Sequence, residues 1–539
     1  MQTVLGIDTG GTYTDAVLLE QKTKKVLKKA KSPTTRDNLA VGIGKSIRGL
    51  GLNPADTIEK VVLSTTLATN AIVEGEGRPT GLIIIGELPK GELPDAHRAQ
   101  VQGKVNIKGK EVIPLDTAQV IEACAAIAPQ VQAFAVSGMM SVRNASQELA
   151  VKNIIKKQCA LPVVCGHELS SQLGFHDRTV TTVLNASLIP ILEDFIRAVE
   201  VTLADQSIDA PVYMVKGDGN LASLSFIREK PIESILSGPA ASIIGALSLA
   251  GCGDGVVVDM GGTTTDSGIV LDNTLTLAPI GARVGDWQTQ IDSAQINTCG
   301  LGGDTQIIAV DRHPTLTGRR VLPACRGGSN GLTPTDLLHY TGDFEGWDRE
   351  LVVSAVNAQT DKDPDAYVDE AAAQILETIR AEVLSLYEAH PVPIIAIGAP
   401  AKTWYEKIQA ETGYVVIVPE HYEVANAVGA AMAAVEERVT ALVRPDEEND
   451  GYVAHVAGQC RSFQDKAEAV DFVKQETEAR AAAAAKAQGA PDISVQVFCD
   501  DIVEKIGWRE RYIETRVKAV AKATTLKLKM QEEKDERRP

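Results

Sequence analysis

The stretch Asp8-Thr9-Gly10-Gly11-Thr12-Tyr13-Thr14-Asp15 returns, little changed, as Asp259-Met260-Gly261-Gly262-Thr263-Thr264-Thr265-Asp266. Each copy follows an apolar run, Val4-Leu5-Gly6-Ile7 or Val256-Val257-Val258, short and β-branched enough to be a buried strand. Apolar residues resume behind each copy, as Ala16-Val17-Leu18-Leu19 and Gly268-Ile269-Val270-Leu271. Both cassettes therefore read as strand-turn-strand hairpins. The paired glycines let the turn take positive φ and bring backbone N–H groups close to an anion, while the threonine hydroxyls add donors. An aspartate at the strand end would be repelled by a phosphate, so it acts through a divalent cation or a water. One such cassette is a common glycine turn. Two copies in the same residue order mark a duplication at domain scale, in which two loops grip one polyphosphate from both sides of a cleft.

Composition bounds the rest. The chain has 539 residues, 44% hydrophobic and 23% charged, enough for two large domains and a smaller third. Lys+Arg 53 against Asp+Glu 71 gives a net charge of −18, which argues against nucleic acid or an anionic membrane as partner. No apolar run is expected to span a bilayer, and the N-terminus enters a strand without a basic leader, so the expected location is cytoplasmic. The eight cysteines are scattered without a Cys-x-x-Cys pair and read as reduced thiols.

Between the cassettes, Glu20 to Lys31 reads as a charged hairpin, and Asp37 to Leu50 as a helix closed by Gly49 and Gly51. Val61-Val62-Leu63-Ser64 is a strand that breaks at Thr65-Thr66 into a helix. These threonines are either the helix N-cap or, with the helix-terminal amides, an anion contact. Thr80 to Gly86 and Phe134 to Ser137 are further strands, and Asp177 to Leu203 is a long helix. Cys299-Gly300-Leu301-Gly302-Gly303-Asp304 is by itself an ordinary turn. Ile394 to Lys402 runs a buried strand into a small-residue loop, and Val424 to Ala431 opens an alanine-rich helix. His313 and His176-Asp177-Arg178 are either satisfied structural groups or contacts to a substrate or metal. The acidic stretch Arg444 to Gly451 reads as a linker; beyond it come a strand at Tyr452 to Val456, a helix at Asp465 to Gln488, strands at Ile493 to Phe498 and Arg511 to Ala519, and a charged tail at Lys529 to Pro539.

The duplicated cassette resembles those of the actin, sugar-kinase and chaperone ATPase superfamily. Leu5 to Asp15, Ser64 to Ala71, Arg178 to Ala186, Leu236 to Ala241 and Val258 to Thr263 narrow this to one branch: the chain resembles the hydantoinase/oxoprolinase family, ATP-using A subunit, over residues 1–440. The resemblance implies an α/β fold of two actin-like, ribonuclease H-like lobes, 1–185 and 186–440, followed by a small α+β domain, 441–539. It implies ATP and Mg²⁺ as cofactors, with Asp8 and Asp259 positioning the metal and the attacking group. Gly10, Gly11, Thr12, Thr14, Asp15, Thr65 and Thr66 would serve the nucleotide from the first lobe. Gly261, Gly262, Thr263, Thr264, Asp266, Gly302 and Gly303 would serve it from the second. Gly398, Ala399 and Asn426 would form the adenosine site, although such small residues also permit close helix–sheet packing.

Members of the family use ATP to activate an amide, lactam, cyclic imide or ketone by phosphorylating the carbonyl oxygen, so the implied substrate is a small molecule of that kind. The implied partner is a B-type hydantoinase subunit, and a homo-oligomer is open as well. Two departures stand out: Leu63-Ser64-Thr65-Thr66 where typical members carry His-Gly-Thr-Thr, and Gly302-Gly303-Asp304 where they carry Gly-Gly-Gly-Ser. The alternatives from other classes are an ATPase switch, such as a chaperone or enzyme reactivator, and a small-molecule kinase.

Overall fold

In the computed structural model, which describes residues 2–523 apart from 36–37, 54–55, 273, 361–362, 447–449, 457–458, 491 and 507–508, both cassettes are the turns of β-hairpins. Strand β1 (Thr3–Thr9) pairs antiparallel with β2 (Tyr13–Glu20), placing Asp8 opposite Asp15. Strand β2 continues antiparallel into β3 (Val26–Pro33), and β1 runs parallel to β4 (Ile58–Thr65). Val212–Val215 and Leu221–Ser223 complete this six-stranded sheet. The second lobe repeats the plan. There β5 (Gly255–Met260) pairs antiparallel with β6 (Thr265–Leu271), placing Asp259 opposite Asp266, and runs parallel to β7 (Ile394–Ile397). Covered on both faces, such strands carry nearly unbroken apolar sequence, and every residue of β1 is buried.

Residues 80–165 insert a separate four-stranded parallel sheet, ordered Val163–Cys165, Ala133–Gly138, Thr80–Ile85, His97–Val101. Helix α1 (Phe175–Asp205) packs on that sheet. Among the described residues α1 alone is long and apolar enough, by length and composition, to cross a membrane, and 67% of its most apolar window is buried inside the fold. Its threonines are compatible with a buried helix because Thr179, Thr181 and Thr182 donate to the carbonyls of Phe175, Asp177 and Arg178 one turn back.

Two domain limits differ from those read in the sequence. Position 185 falls inside α1, and the strands at 212–215 and 221–223 pair into the first sheet, so the first lobe extends past Ser223. Glu436–Pro445 pairs antiparallel with Tyr452–Val456, so the C-terminal sheet begins at Glu436, ahead of the acidic stretch, whose residues 447–449 lie outside the described residues. That sheet has five antiparallel strands, including Ile493–Ile506 and Arg509–Ala523, both longer than expected. The helix Lys466–Ala487 covers it with Ala469, Val473, Thr477, Ala481 and Ala485, one residue per turn. The charged tail lies outside the described residues.

Two helices join the lobes. Helix α2 (Ser237–Ala250) crosses α3 (Ala425–Met432) so closely that a Cβ on Gly245 would sit 1.9 Å from the Ala425 carbonyl oxygen, and one on Gly429 1.8 Å from that of Ala241. Helix α3 also lies on β1, where a Cβ on Gly6 would sit 2.1 Å from the Ala427 carbonyl oxygen. The obstacles are backbone, so no rotamer change relieves them. Gly429→Ala should therefore destabilise the fold by about 2–3 kcal/mol. Urea unfolding measures this directly, and an unchanged midpoint would refute the tight crossing.

Candidate active site

The hairpin tips close identically: Gly10 N–H donates to the Tyr13 carbonyl at 3.0 Å, and Gly261 N–H to that of Thr264 at 2.9 Å. Behind each tip stands a pair of carboxylates. In a β-pair, residues directly opposite share a face, so Asp8 faces with Asp15 and Asp259 with Asp266. Asp8 accepts from Ser64 Oγ at 2.5 Å, and Asp259 from Ser242 Oγ at 2.7 Å. Asn426, at the start of α3, stands between the two lobes' aspartates. Its Nδ2 lies 3.5 Å from Asp8 Oδ2, and the same side chain helps to lower the Asp259 carboxyl against the effect of burial.

The cluster is held under electrostatic stress. Burial, reinforced by Asp15 and Asp259, pushes the Asp8 carboxyl up to about 7, although Ser64 opposes the rise. Burial raises Asp15 to about 6 against the pull of Lys31, whose Nζ lies 3.0 Å away. Burial raises Asp266 to about 6 against a hydrogen bond from Thr298, and it raises Asp259 as well. Crowded carboxylates with hydroxyl partners are the donor set of a hard divalent cation. Thr9, opposite Thr14 in the ladder, shares the other face, so its buried Oγ1 is not one of these donors. The chemistry of this donor set fits Mg²⁺.

The structure sorts the other expected residues. Gly11 and Thr263 are exposed at the tips, flanked by the partly buried Thr12, Gly261, Gly262 and Thr264. Thr14 is not at the site: strand alternation sends it to the opposite face from Asp15, where it bonds to Thr34 at 3.1 Å. Thr65 takes the capping role, its hydroxyl accepting from Leu67 N–H at 3.2 Å, while the Thr66 hydroxyl accepts from Asn70. Gly302 and Gly303 do not offer amides to a phosphate. Gly302 N–H donates to Thr305 Oγ1 and Gly303 N–H to the Gly261 carbonyl, so this loop buttresses the second hairpin. Gly398, at φ 92°, would carry a Cβ 2.9 Å from Asp259 Oδ1, which places it against the carboxylate, with Ala399 exposed beside it. Asn426 stands at the aspartate centre.

Arg178 is fully buried and ties loops together through the carbonyls of Gln172, Gly138 and Met139. His176 bonds to Asp177 and the Glu92 carbonyl, and His313 to Glu370 on the surface. Three groups were not singled out from sequence. Lys31 was submerged in a charged hairpin, and only the β2–β3 register sets it opposite Asp15. Ser242 carries no motif. Arg320 reaches Thr12 from the other lobe, with Nη2 3.2 Å from Thr12 Oγ1.

Two lobes with matching phosphate hairpins and a shared carboxylate centre define an actin-like ATPase core. Sequence comparison then sets the family. Hydantoinase/oxoprolinase N-terminal region matches residues 4–159 and hydantoinase/oxoprolinase matches 178–439; the chain belongs to the hydantoinase/oxoprolinase family. It is similar to caprolactamase subunit alpha of Pseudomonas jessenii, with 27% identity across 77% of this chain and 68% of that one. It is similar to the acetophenone carboxylase gamma subunit of Aromatoleum aromaticum, with 25% identity over 62% of this chain and 51% of the relative's length. The crystal structure of ATP-dependent caprolactamase from P. jessenii shares the fold, with a TM-score of 0.73 at 22% identity over 96% of this chain and 87% of that one.

The raised Asp8 carboxyl has a pH signature. Its protonated form favours folding, so this contribution is complete below its unfolded value of 3.8 and is lost as pH rises toward about 7. A cation needs the ionised form and reverses the loss. Mg²⁺ should therefore raise the melting temperature more at about pH 8 than at about pH 5.5, and Asp8→Asn should flatten the difference. A Mg²⁺ shift independent of pH in the wild-type chain would contradict the assignment.

Proposed function

We propose that this chain is the ATP-using subunit of an enzyme that activates the carbonyl of a small amide, lactam, cyclic imide or ketone by phosphorylation, for hydrolysis or carboxylation. The observation that carries the reading is the centre formed by Asp8, Asp259 and Asn426 between two phosphate hairpins. Its relatives, by name, act on a lactam and on a ketone, and both are single subunits of larger assemblies. In the proposed chemistry the carbonyl oxygen bonds to the γ-phosphorus as the bond to the ADP oxygen breaks. With an amide or lactam, water then adds to the carbonyl carbon, the C–N bond opens to leave an acyl phosphate, and a second water releases phosphate. With a ketone, loss of an α-proton gives the enol phosphate, whose α-carbon bonds to a carboxyl donor as water takes the phosphoryl group. Mg²⁺ would supply charge neutralisation at the phosphates, and Asp8 and Asp259 would hold it while Asn426 keeps the two lobes' carboxylates in register.

An ATPase switch works by rotating its lobes, and one feature favours carbonyl activation over that alternative. Residues 277–294 of the second lobe reach back into the first, where Ala282, Val284 and Ile291 join its core and Gln290 N–H donates to Thr181 Oγ1. Lobes clasped in this way suit fixed positioning. A cytoplasmic location, a B-type partner and self-association all belong to the same proposal.

Asp8→Ala and Asp259→Ala should each lower ATP turnover by about 100-fold or more, with circular dichroism unchanged. Near-native turnover by either folded variant would overturn the site. The purified chain alone should show weak or uncoupled ATP hydrolysis in a screen of hydantoins, lactams and ketones. Full conversion of any of them by the single chain would show that the partner subunit is unnecessary.

A further inference from the structure

Arg320 ends the hairpin Thr305–Val310/His313–Arg320, which leaves the second lobe directly beyond the loop Gly302–Asp304. Its guanidinium sits between the two phosphate loops. On one side Nη2 lies 3.2 Å from Thr12 Oγ1 at the tip of the first hairpin. On the other side Nε and Nη2 both lie 3.2 Å from Asp304 Oδ2. Asp304 in turn belongs to the tip of the second hairpin: its N–H donates to the Gly262 carbonyl at 2.7 Å, and a Cβ on Gly262 would sit 2.9 Å from Asp304 Oδ2. An arginine of one lobe is thus hydrogen-bonded to the anion loop of the other, while a carboxylate occupies part of its fork.

This geometry is unusual for a structural ion pair. The Arg320 side chain keeps 35% of its surface exposed and Asp304 14%, so the pair lies at the mouth between the tips rather than in a core. Exposed pairs contribute little stability. A planar guanidinium matches the two-oxygen geometry of a phosphate as well as that of a carboxylate, and it has five donors to distribute.

We propose that Arg320 is the cross-lobe ligand of the terminal phosphate of bound ATP, and that Asp304 holds it in place until the nucleotide takes over one arm of its fork. This deepens the ATP reading above and rests on it. Arg320 then closes the phosphate site from the side opposite the carboxylate centre and distinguishes ATP from ADP. Thr12 guides the arginine across the gap, and Asp304 prevents it from collapsing onto the carboxylates behind the tips.

The test is calorimetric titration of the full chain with Mg-ATP and with Mg-ADP, for the wild type, Arg320→Gln, Arg320→Lys and Asp304→Asn, each checked for folding by circular dichroism. Arg320→Gln should weaken Mg-ATP by about 10- to 100-fold and leave Mg-ADP nearly unchanged, with Arg320→Lys intermediate. Asp304→Asn should bind Mg-ATP as tightly as wild type or more so, because the competing carboxylate charge is gone. If Arg320 were only a clasp between Thr12 and Asp304, both substitutions would weaken both nucleotides alike, and that result overturns the inference. Equal losses for ATP and ADP in Arg320→Gln overturn it too. A wild-type chain that binds neither nucleotide overturns the ATP reading itself, a different outcome from a wild type that binds both and an Arg320→Gln variant indistinguishable from it.

Discussion

The backbone-to-backbone crossing of α2 and α3 sets the geometry on which the site depends. Gly245 and Gly429 let each helix lie in the groove of the other, and Gly6 lets α3 settle on β1 as well. With α3 fixed against both lobes, Asn426 in its first turn reaches Asp8 and Asp259 together. A side chain at any of these glycines would lift α3 and separate the amide from at least one carboxylate. The small-residue composition of α3 thus serves close packing first, and the placement of Asn426 follows from it.

The second constraint is charge. Four carboxylates, from Asp8, Asp15, Asp259 and Asp266, are carried into the fold on paired strands. Among the described residues only Asp15 of these four forms an ion pair, with Lys31, which is itself 38% exposed. Desolvation makes the ionised forms costly, so the protein alone favours a partly protonated cluster near neutral pH. Such a centre is built for a positive charge that arrives with the ligand. The serines on Asp8 and Asp259 orient one oxygen of each carboxylate.

How much of this is legible in the sequence depends on whether the determinant is local. The hairpins are, because apolar run, glycine pair and apolar run sit within a short stretch, and the duplication removes the ambiguity of a single motif. Strand alternation also predicts that Thr14 must turn away from Asp15; its counterpart Thr265 does the same, donating to the Leu301 carbonyl. The role of Asn426, the contact of Arg320 with Thr12 and the pairing of Lys31 with Asp15 all depend on register or on contacts between distant segments. The first domain limit is obscured for a similar reason. Strands 212–215 and 221–223 return to the first sheet after a 31-residue helix that looks like the start of something new.

The duplication is not symmetric, and the asymmetry assigns different work to the halves. In the first lobe Asp15 is paired with a lysine, whereas the equivalent Asp266 meets only the hydroxyl of Thr298. The second hairpin is buttressed by Gly303 and Asp304 and carries a hairpin insertion ending in Arg320, while the first hairpin's tip has Gly11 open to solvent. Both tips are nevertheless held within their own lobes: Thr34 donates from its N–H to the Thr12 carbonyl and from its hydroxyl to the Gly10 carbonyl, as Gly303 and Asp304 donate to Gly261 and Gly262. With residues 277–294 holding the lobes together and each tip braced from within its own lobe, the contact of Arg320 with Thr12 ties the two tips to each other across the cleft.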